Sequence, residues 1–227
     1  MIALDIDLPR KDDNGINYIS YSQYTSFKSE SGFNTGLPGY QEYIRSYFLG
    51  ERFPDAGWAQ FGKDVEDYIC ERKSGETFSQ RERDVLEKVE PLGSFQIEVK
   101  LWLASNLYLL GYIDDATHDL MKIRDYKTGS DNSLQKYTKP DYEQLDFYSM
   151  WVKQETGRLP NELEVCGIER KGNVFGLTDR RDLLTVGEKV TYIPRETSEE
   201  RCEKVKNNLL KVVFEISDYY KIFKKYG

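Results

Sequence analysis

Two short stretches hold the residues whose types and spacing suggest chemistry: Gly111-Tyr-Ile-Asp114, and Ile123-Arg-Asp125-Tyr-Lys127-Thr-Gly129. In an extended chain, alternate side chains share a face, so Met121, Ile123, Asp125 and Lys127 point the same way. Two apolar residues anchor that face and two charged ones project at its end. Asp114 closes the preceding stretch, and a short antiparallel connection brings it close to Asp125. Two adjacent carboxylates repel and raise each other's pKa. A divalent cation relieves that conflict, and hard oxygen donors suit Mg²⁺ or Mn²⁺. A lysine beside the pair suits phosphodiester hydrolysis. It can orient or help deprotonate the attacking water and stabilise the charge that builds on phosphorus, while the metal acts as Lewis acid. An isolated Asp-x-Lys reads as a surface ion pair; the two stretches together, at hairpin spacing, are much harder to obtain by accident.

These residues need strands to carry them, and the surrounding pattern supplies three. Residues 95–104, 107–117 and 119–128 read as consecutive strands; Ile97, Val99 and Leu101 alternate with Gln96, Glu98 and Lys100. Upstream, residues 17–30 read as a short strand or turn running into a helix that Ser20 or Ser22 can cap. A short helix is expected near Gln41–Tyr47 among Gly- and Pro-rich loops, and a longer one over 58–72. Ser79 and Glu82 have capping-box spacing before the next helix. Downstream come a helix over 141–156, strands over 163–170 and 189–194, and a terminal helix. Thr197 and Glu200 form its capping pattern, and Val205, Leu209, Val212, Ile216, Tyr220 and Phe223 its apolar stripe. The expected fold class is α/β: a mixed central sheet flanked by helices. One domain is expected over 1–227, with a helical part over about 1–92, a sheet core over about 93–195 and a C-terminal helix over about 197–225.

The bulk composition narrows the alternatives. The chain has 32 basic and 39 acidic residues, a net charge of −7, which argues against a general nucleic-acid coat protein. It leaves room for an enzyme that grips nucleic acid locally. Three scattered cysteines, Cys70, Cys166 and Cys202, have neither metal-site spacing nor a disulfide framework. His118 is the one histidine, which excludes a site needing two imidazoles, and it reads as a hairpin residue. No apolar run approaches a membrane span, and the polar N-terminus is unlike a signal peptide, so a cytoplasmic protein is expected. Lys136, Lys171, Arg180 and Arg181 could contact phosphate but read as ordinary surface.

Together, GYID and DYKTG resemble the motifs of the PD-(D/E)XK nuclease superfamily, in particular the branch of RecB-type nuclease domains and phage-type exonucleases. In that family a helix after the lysine strand carries Q-x-x-x-Y, which Gln144 and Tyr148 match here; positions four apart share a helix face. The resemblance implies a restriction-endonuclease-like core. It implies that Asp114, Asp125 and the Tyr126 carbonyl bind Mg²⁺ or Mn²⁺, that Lys127 serves the water and the transition state, and that Gln144 and Tyr148 order the site or the substrate. Gly62 and Glu66 resemble the family's G-x-x-x-H, with a glutamate where the family has histidine, so Glu66 is a candidate metal ligand. Glu98 resembles a glutamate on the strand before G-x-I-D and is a candidate supporting residue. Ser20-Tyr-Ser22 resembles the family's opening S-x-S helix.

The implied activity is hydrolysis of DNA, by an exonuclease more than a sequence-tolerant endonuclease, in recombination, repair or phage DNA processing. The alternative is a catalytically inactive nucleic-acid-binding relative, which predicts a broken triad. Some relatives carry a four-cysteine iron–sulfur cluster; three separated cysteines predict none. The absence of G-x-x-x-x-G-K-[ST] means that any ATP-driven unwinding would come from a recombination or helicase partner. Oligomeric state leaves no visible mark on the sequence.

Overall fold

The computed structural model describes residues 1–28, 37–53, 56–71, 77–173 and 179–226. The elements that position the site are β1 (Asn17–Ser20), α1 (Tyr21–Lys28), α2 (Leu37–Tyr43), α3 (Gly57–Glu71), α4 (Gln80–Leu86), β2 (Ser94–Ala104), β3 (Leu107–Ala116) and β4 (Lys122–Gly129). They continue with α5 (Asp131–Leu134), α6 (Gln144–Thr156), β5 (Glu162–Lys171), β6 (Thr185–Arg195) and α7 (Glu199–Tyr226). The three expected consecutive strands are β2, β3 and β4. The ends of the helices expected over 17–30 and 58–72 lie partly outside the described residues.

The six strands form one mixed sheet. β3 pairs antiparallel with β2 along one edge. Its other edge is shared: Leu107–Leu110 pair parallel with β1, and Asp115 and Ala116 pair antiparallel with Arg124 and Ile123 of β4. β5 lies parallel to β4 along the whole of β4, and β6 runs antiparallel to β5. The sheet is therefore mixed and flanked by helices, as its sequence pattern implies. Apolar side chains gather on both sides. Phe27, Val99, Leu109, Ile123, Phe147, Val165, Leu209 and Ile216 belong to the larger cluster, which joins the sheet to α1, α6 and α7. Phe61, Val65, Ile69, Leu86, Tyr126, Cys166 and Ile168 belong to the smaller one, under α3 and α4. In β5, Leu163 and Val165 face the first cluster and Cys166 and Ile168 the second, which explains its continuous apolar run.

Local signals act largely as their chemistry requires. Ser20 is the cap of α1, accepting from Gln23 N at 3.2 Å. Ser79 and Glu82 form the full capping box at α4. The start of α7 differs from the expectation: Ser198 Oγ accepts from Arg201 N at 3.1 Å, while the Thr197 hydroxyl lies 3.3 Å from Cys202 Sγ. The hydroxyl immediately before the helix is the one within reach of the free N–H groups. Beyond its cap, α7 buries Val205, Leu209, Val212 and Ile216 of the expected stripe, and Tyr220 and Phe223 pack against the same core partly exposed.

Candidate active site

The site is made by two strands that part. β3 and β4 pair over two positions, Asp115↔Arg124 and Ala116↔Ile123, and then separate. At the point of separation the alternation of β3 breaks. Ile113 belongs to the larger cluster, yet Asp115 accepts from the Tyr126 hydroxyl of the smaller one at 2.8 Å. An undistorted strand would put residues 113 and 115 on one face. Opposite them, β2 skips a pairing at Gln96, which has φ 49°. That conformation costs a residue with a Cβ about 1–2 kcal/mol. Gln96 is also the partner of Glu66, through a hydrogen bond from its amide to Glu66 Oε1.

Asp114 sits in this break. Its Oδ2 accepts from Tyr126 N at 2.8 Å, so the carboxylate takes a backbone donor of the departing strand. Lys127 Nζ lies 4.0 Å from the same oxygen, contacts Asp125 Oδ2, and donates to the Tyr126 carbonyl at 3.2 Å. One ammonium thus reaches both aspartates and the carbonyl between Asp125 and Lys127. The triad expected from sequence is brought together, and with it the backbone oxygen assigned to the metal.

The electrostatics follow from burial. Burial, then the negative charge of Asp125, holds the Asp114 carboxyl well above the usual carboxylate range, with Lys127 opposing. Burial also raises Glu66, against the lowering influence of Lys127. For Lys127, burial acts to lower the pKa, but Asp125 and Asp114 outweigh it and keep the ammonium above its ordinary value. Asp125 is fully buried, and its Oδ1 has no hydrogen-bond partner among the described residues. A buried carboxylate oxygen without a partner costs about 1–3 kcal/mol or more, and a cation is the natural group to satisfy it.

The residues fit a hard divalent ion. The donors are oxygens: the Asp114 and Asp125 carboxylates and the Tyr126 carbonyl. Mg²⁺ is commonly held by one or two carboxylates while keeping several waters. Among the described residues, no three His, Cys, Asp or Glu side chains gather closely enough to hold an ion between them. Glu66 feels the charges of Lys127 and Asp125 but bonds to Gln96, beside the aspartate pair. Gly62, one turn earlier on α3, faces β4: a Cβ there would come into ordinary contact with Thr128 Oγ1 at 3.4 Å.

On the other side, α6 spans the gap. Gln144 Nε2 donates to the Tyr148 hydroxyl at 2.7 Å, which donates to the Tyr112 carbonyl at 2.5 Å. Gly111 makes room for that ring, since a Cβ there would lie 3.2 Å from Tyr148 Cε1. The Tyr142 hydroxyl donates to Asp125 Oδ2 at 2.8 Å and lies 2.9 Å from Gln144 Oε1. The Q-x-x-x-Y pair therefore braces the parted strands from within. Glu98 is exposed at the rim, 3.4 Å from the Tyr112 hydroxyl and 3.1 Å from Lys100 Nζ, and is not in contact with the triad.

Sequence reasoning missed Tyr142, Asp115 and Arg124. Asp115 also accepts from Leu92 N at 2.8 Å and Gly93 N at 3.2 Å. Arg124 donates to Glu164 at 2.8 Å and to the Glu90 carbonyl at 2.6 Å. Both clasp Tyr126 from behind the site. The one signal for them was charge inside a strand otherwise filled by core residues. His118 is a hairpin residue, its Nδ1 2.8 Å from Ser94 Oγ. Arg181 pairs with Asp64 at 2.6 Å and Arg180 with Asp182, so both are engaged within the protein.

Comparison with known proteins bears on the fold and the family. No curated protein matches the sequence. Among solved structures, a candidate exonuclease from Eubacterium rectale superposes with a TM-score of 0.54 at 11% identity, over 89% of this chain and 82% of that one. At that identity the likeness shows the fold. LHK-Exo, solved in complex with dAMP, aligns with a TM-score of 0.46 at 13% identity, over 91% of each chain. The family model of the PD-(D/E)XK nuclease superfamily matches residues 41–222, a span that holds the parted strands, the triad and the bracing helix: the chain belongs to the PD-(D/E)XK nuclease superfamily.

Proposed function

We propose that the protein is a Mg²⁺- or Mn²⁺-dependent nuclease that hydrolyses DNA phosphodiester bonds, acting as an exonuclease in recombination, repair or phage DNA processing. The observation that carries the reading is the set of two largely buried aspartates on parting strands, bridged by Lys127, with Asp125 Oδ1 left unpartnered. Members of this superfamily generally use divalent metals such as Mg²⁺, and the oxygen donor set here suits one. Asp114, Asp125 and the Tyr126 carbonyl would hold the ion. When bound, it would polarise the phosphate and lower the pKa of water.

The chain's own residues do the rest. Lys127, held charged between the aspartates, orients the attacking water and stabilises negative charge on the phosphate as it builds. Gln144 and Tyr148 fix the width of the gap in which the phosphate sits. Glu66 stands at the α3 side, bonded to Gln96, as a further carboxylate whose charge would act on a bound ion. The exonuclease assignment rests on the motif resemblance. A single domain over 1–227 and action in the cytoplasm complete the reading; among the described residues no helix is long and apolar enough to cross a membrane.

Incubating wild type and Lys127→Ala with linear and covalently closed circular DNA in Mg²⁺ or Mn²⁺ tests it. The expected result is loss of linear DNA alone, abolished by the substitution and by chelation of the metal. Equal attack on circles would make the enzyme an endonuclease, and inactivity of wild type on all substrates would favour a binding relative.

A further inference from the structure

We infer that Tyr142 is a positioning residue for the cation site: its phenol pins Asp125 through Oδ2 and leaves Oδ1 as the oxygen presented to a divalent ion. This rests on the nuclease reading above and adds a residue to it.

Asp125 has two oxygens in different circumstances. Oδ2 receives the Lys127 ammonium and the Tyr142 hydroxyl, the latter at 2.8 Å. Oδ1 is buried and has no partner among the described residues. A carboxylate held by a lysine alone is free to turn, because the terminal torsion of aspartate is broad and an ammonium is a point charge with rotatable donors. The second donor, arriving from the segment just before α6 rather than from β4 itself, fixes the plane of the group. It thereby decides which oxygen is occupied and which is free.

Tyr142 is built to hold still. Its carbonyl accepts from Arg195 Nη2 at 3.2 Å and from Arg201 Nη2 at 3.4 Å. Its ring packs edge-on with Tyr137, centroids 4.9 Å apart at 78°, and with Tyr21 at 6.5 Å and 88°. The hydroxyl also lies 2.9 Å from Gln144 Oε1, so its single hydrogen is shared between that oxygen and Asp125 Oδ2, and the Gln144 amide in turn donates to Tyr148, which donates to the Tyr112 carbonyl. The orientation of Asp125 is thus tied to the backbone of β3 two residues before Asp114. Partners that orient a metal-binding carboxylate in this way typically change metal affinity or activity about 10- to 100-fold when removed.

The test is Mn²⁺ binding to the full chain without DNA, read by electron paramagnetic resonance, for wild type, Tyr142→Phe and Asp125→Asn, with thermal unfolding measured alongside. Tyr142→Phe is expected to raise the Mn²⁺ Kd about 10- to 100-fold while its unfolding midpoint stays near that of wild type. Asp125→Asn is expected to lose binding. Wild-type affinity in Tyr142→Phe, with binding lost in Asp125→Asn, would overturn the role of Tyr142 and leave the nuclease reading standing. Wild-type affinity in Asp125→Asn would remove the metal site itself, and this inference with it. A Tyr142→Phe chain that fails to fold would also overturn the inference, since the hydroxyl would then be serving the core.

Discussion

Asp114 is held near Asp125 in a largely buried site, and the cost of that proximity is visible in its raised carboxyl pKa, caused first by burial and then by its neighbour. Asparagine would keep an oxygen for the Tyr126 N–H and remove the repulsion. In the metal-free protein Asp114→Asn is therefore expected to be more stable, by about 0.5–2 kcal/mol, and inactive; denaturant unfolding and a nuclease assay check the two halves. Asp114, Asp125 and Lys127 were legible in the sequence because their relation lies within two strands and the hairpin between them. Gln144 and Tyr148 were legible through their spacing on one helix. Tyr142 was not, because its partner lies 17 positions away on β4 and depends on how α6 docks. Glu98 resembled a family residue by position, but the exposed rim of β2 places it with Tyr112 and Lys100.

The strands carry a second device on the face away from α6. Arg124, Glu164, Asp115 and Tyr126 form a buried polar network between β3, β4 and β5. Removing one member strands the charge of the other. Glu164→Ala is expected to destabilise by about 3–5 kcal/mol at the fully buried limit, and less here because Glu164 keeps 15% side-chain exposure; urea unfolding measures it. Periodicity located these strands but did not show the break at Gln96 and Asp114, since a left-handed residue inside a strand leaves no trace in an apolar pattern. The capping box was readable because it is wholly local. Its Glu82 is lowered below its ordinary pKa: burial would raise it, but hydrogen bonds from Ser79 and Val186 outweigh that. A depressed carboxylate adds stability above its unfolded pKa and loses it as pH falls through the folded value. Glu82→Gln is expected to flatten the loss of stability on the acid side, read as the unfolding midpoint against pH.

For the whole molecule, a net charge of −7 opposes a polyanionic substrate. On the proposed reading, neutralisation is local, supplied by Lys127 and by a bound divalent ion. Binding of DNA without metal is expected to be weak and to fall steeply with salt; a fluorescence titration across salt concentrations, with and without Ca²⁺ or Mg²⁺, checks this, and tight metal-free binding would contradict it. The mixed sheet with helices on both sides was legible from the order of elements. The parallel pairing of β1 with the first half of β3 was not, because four residues carry no partner preference of their own. That pairing shapes the candidate site: by occupying the near half of β3's edge, it leaves the far half to β4, beside the gap between them.

Single-turnover cleavage of a DNA duplex in Mg²⁺, comparing wild type with Lys127→Ala, tests the central claim most directly. The expected result is a rate lower by about 100- to 10,000-fold in the variant, with its fold intact by circular dichroism. Equal rates would show that hydrolysis does not pass through the site between β3 and β4.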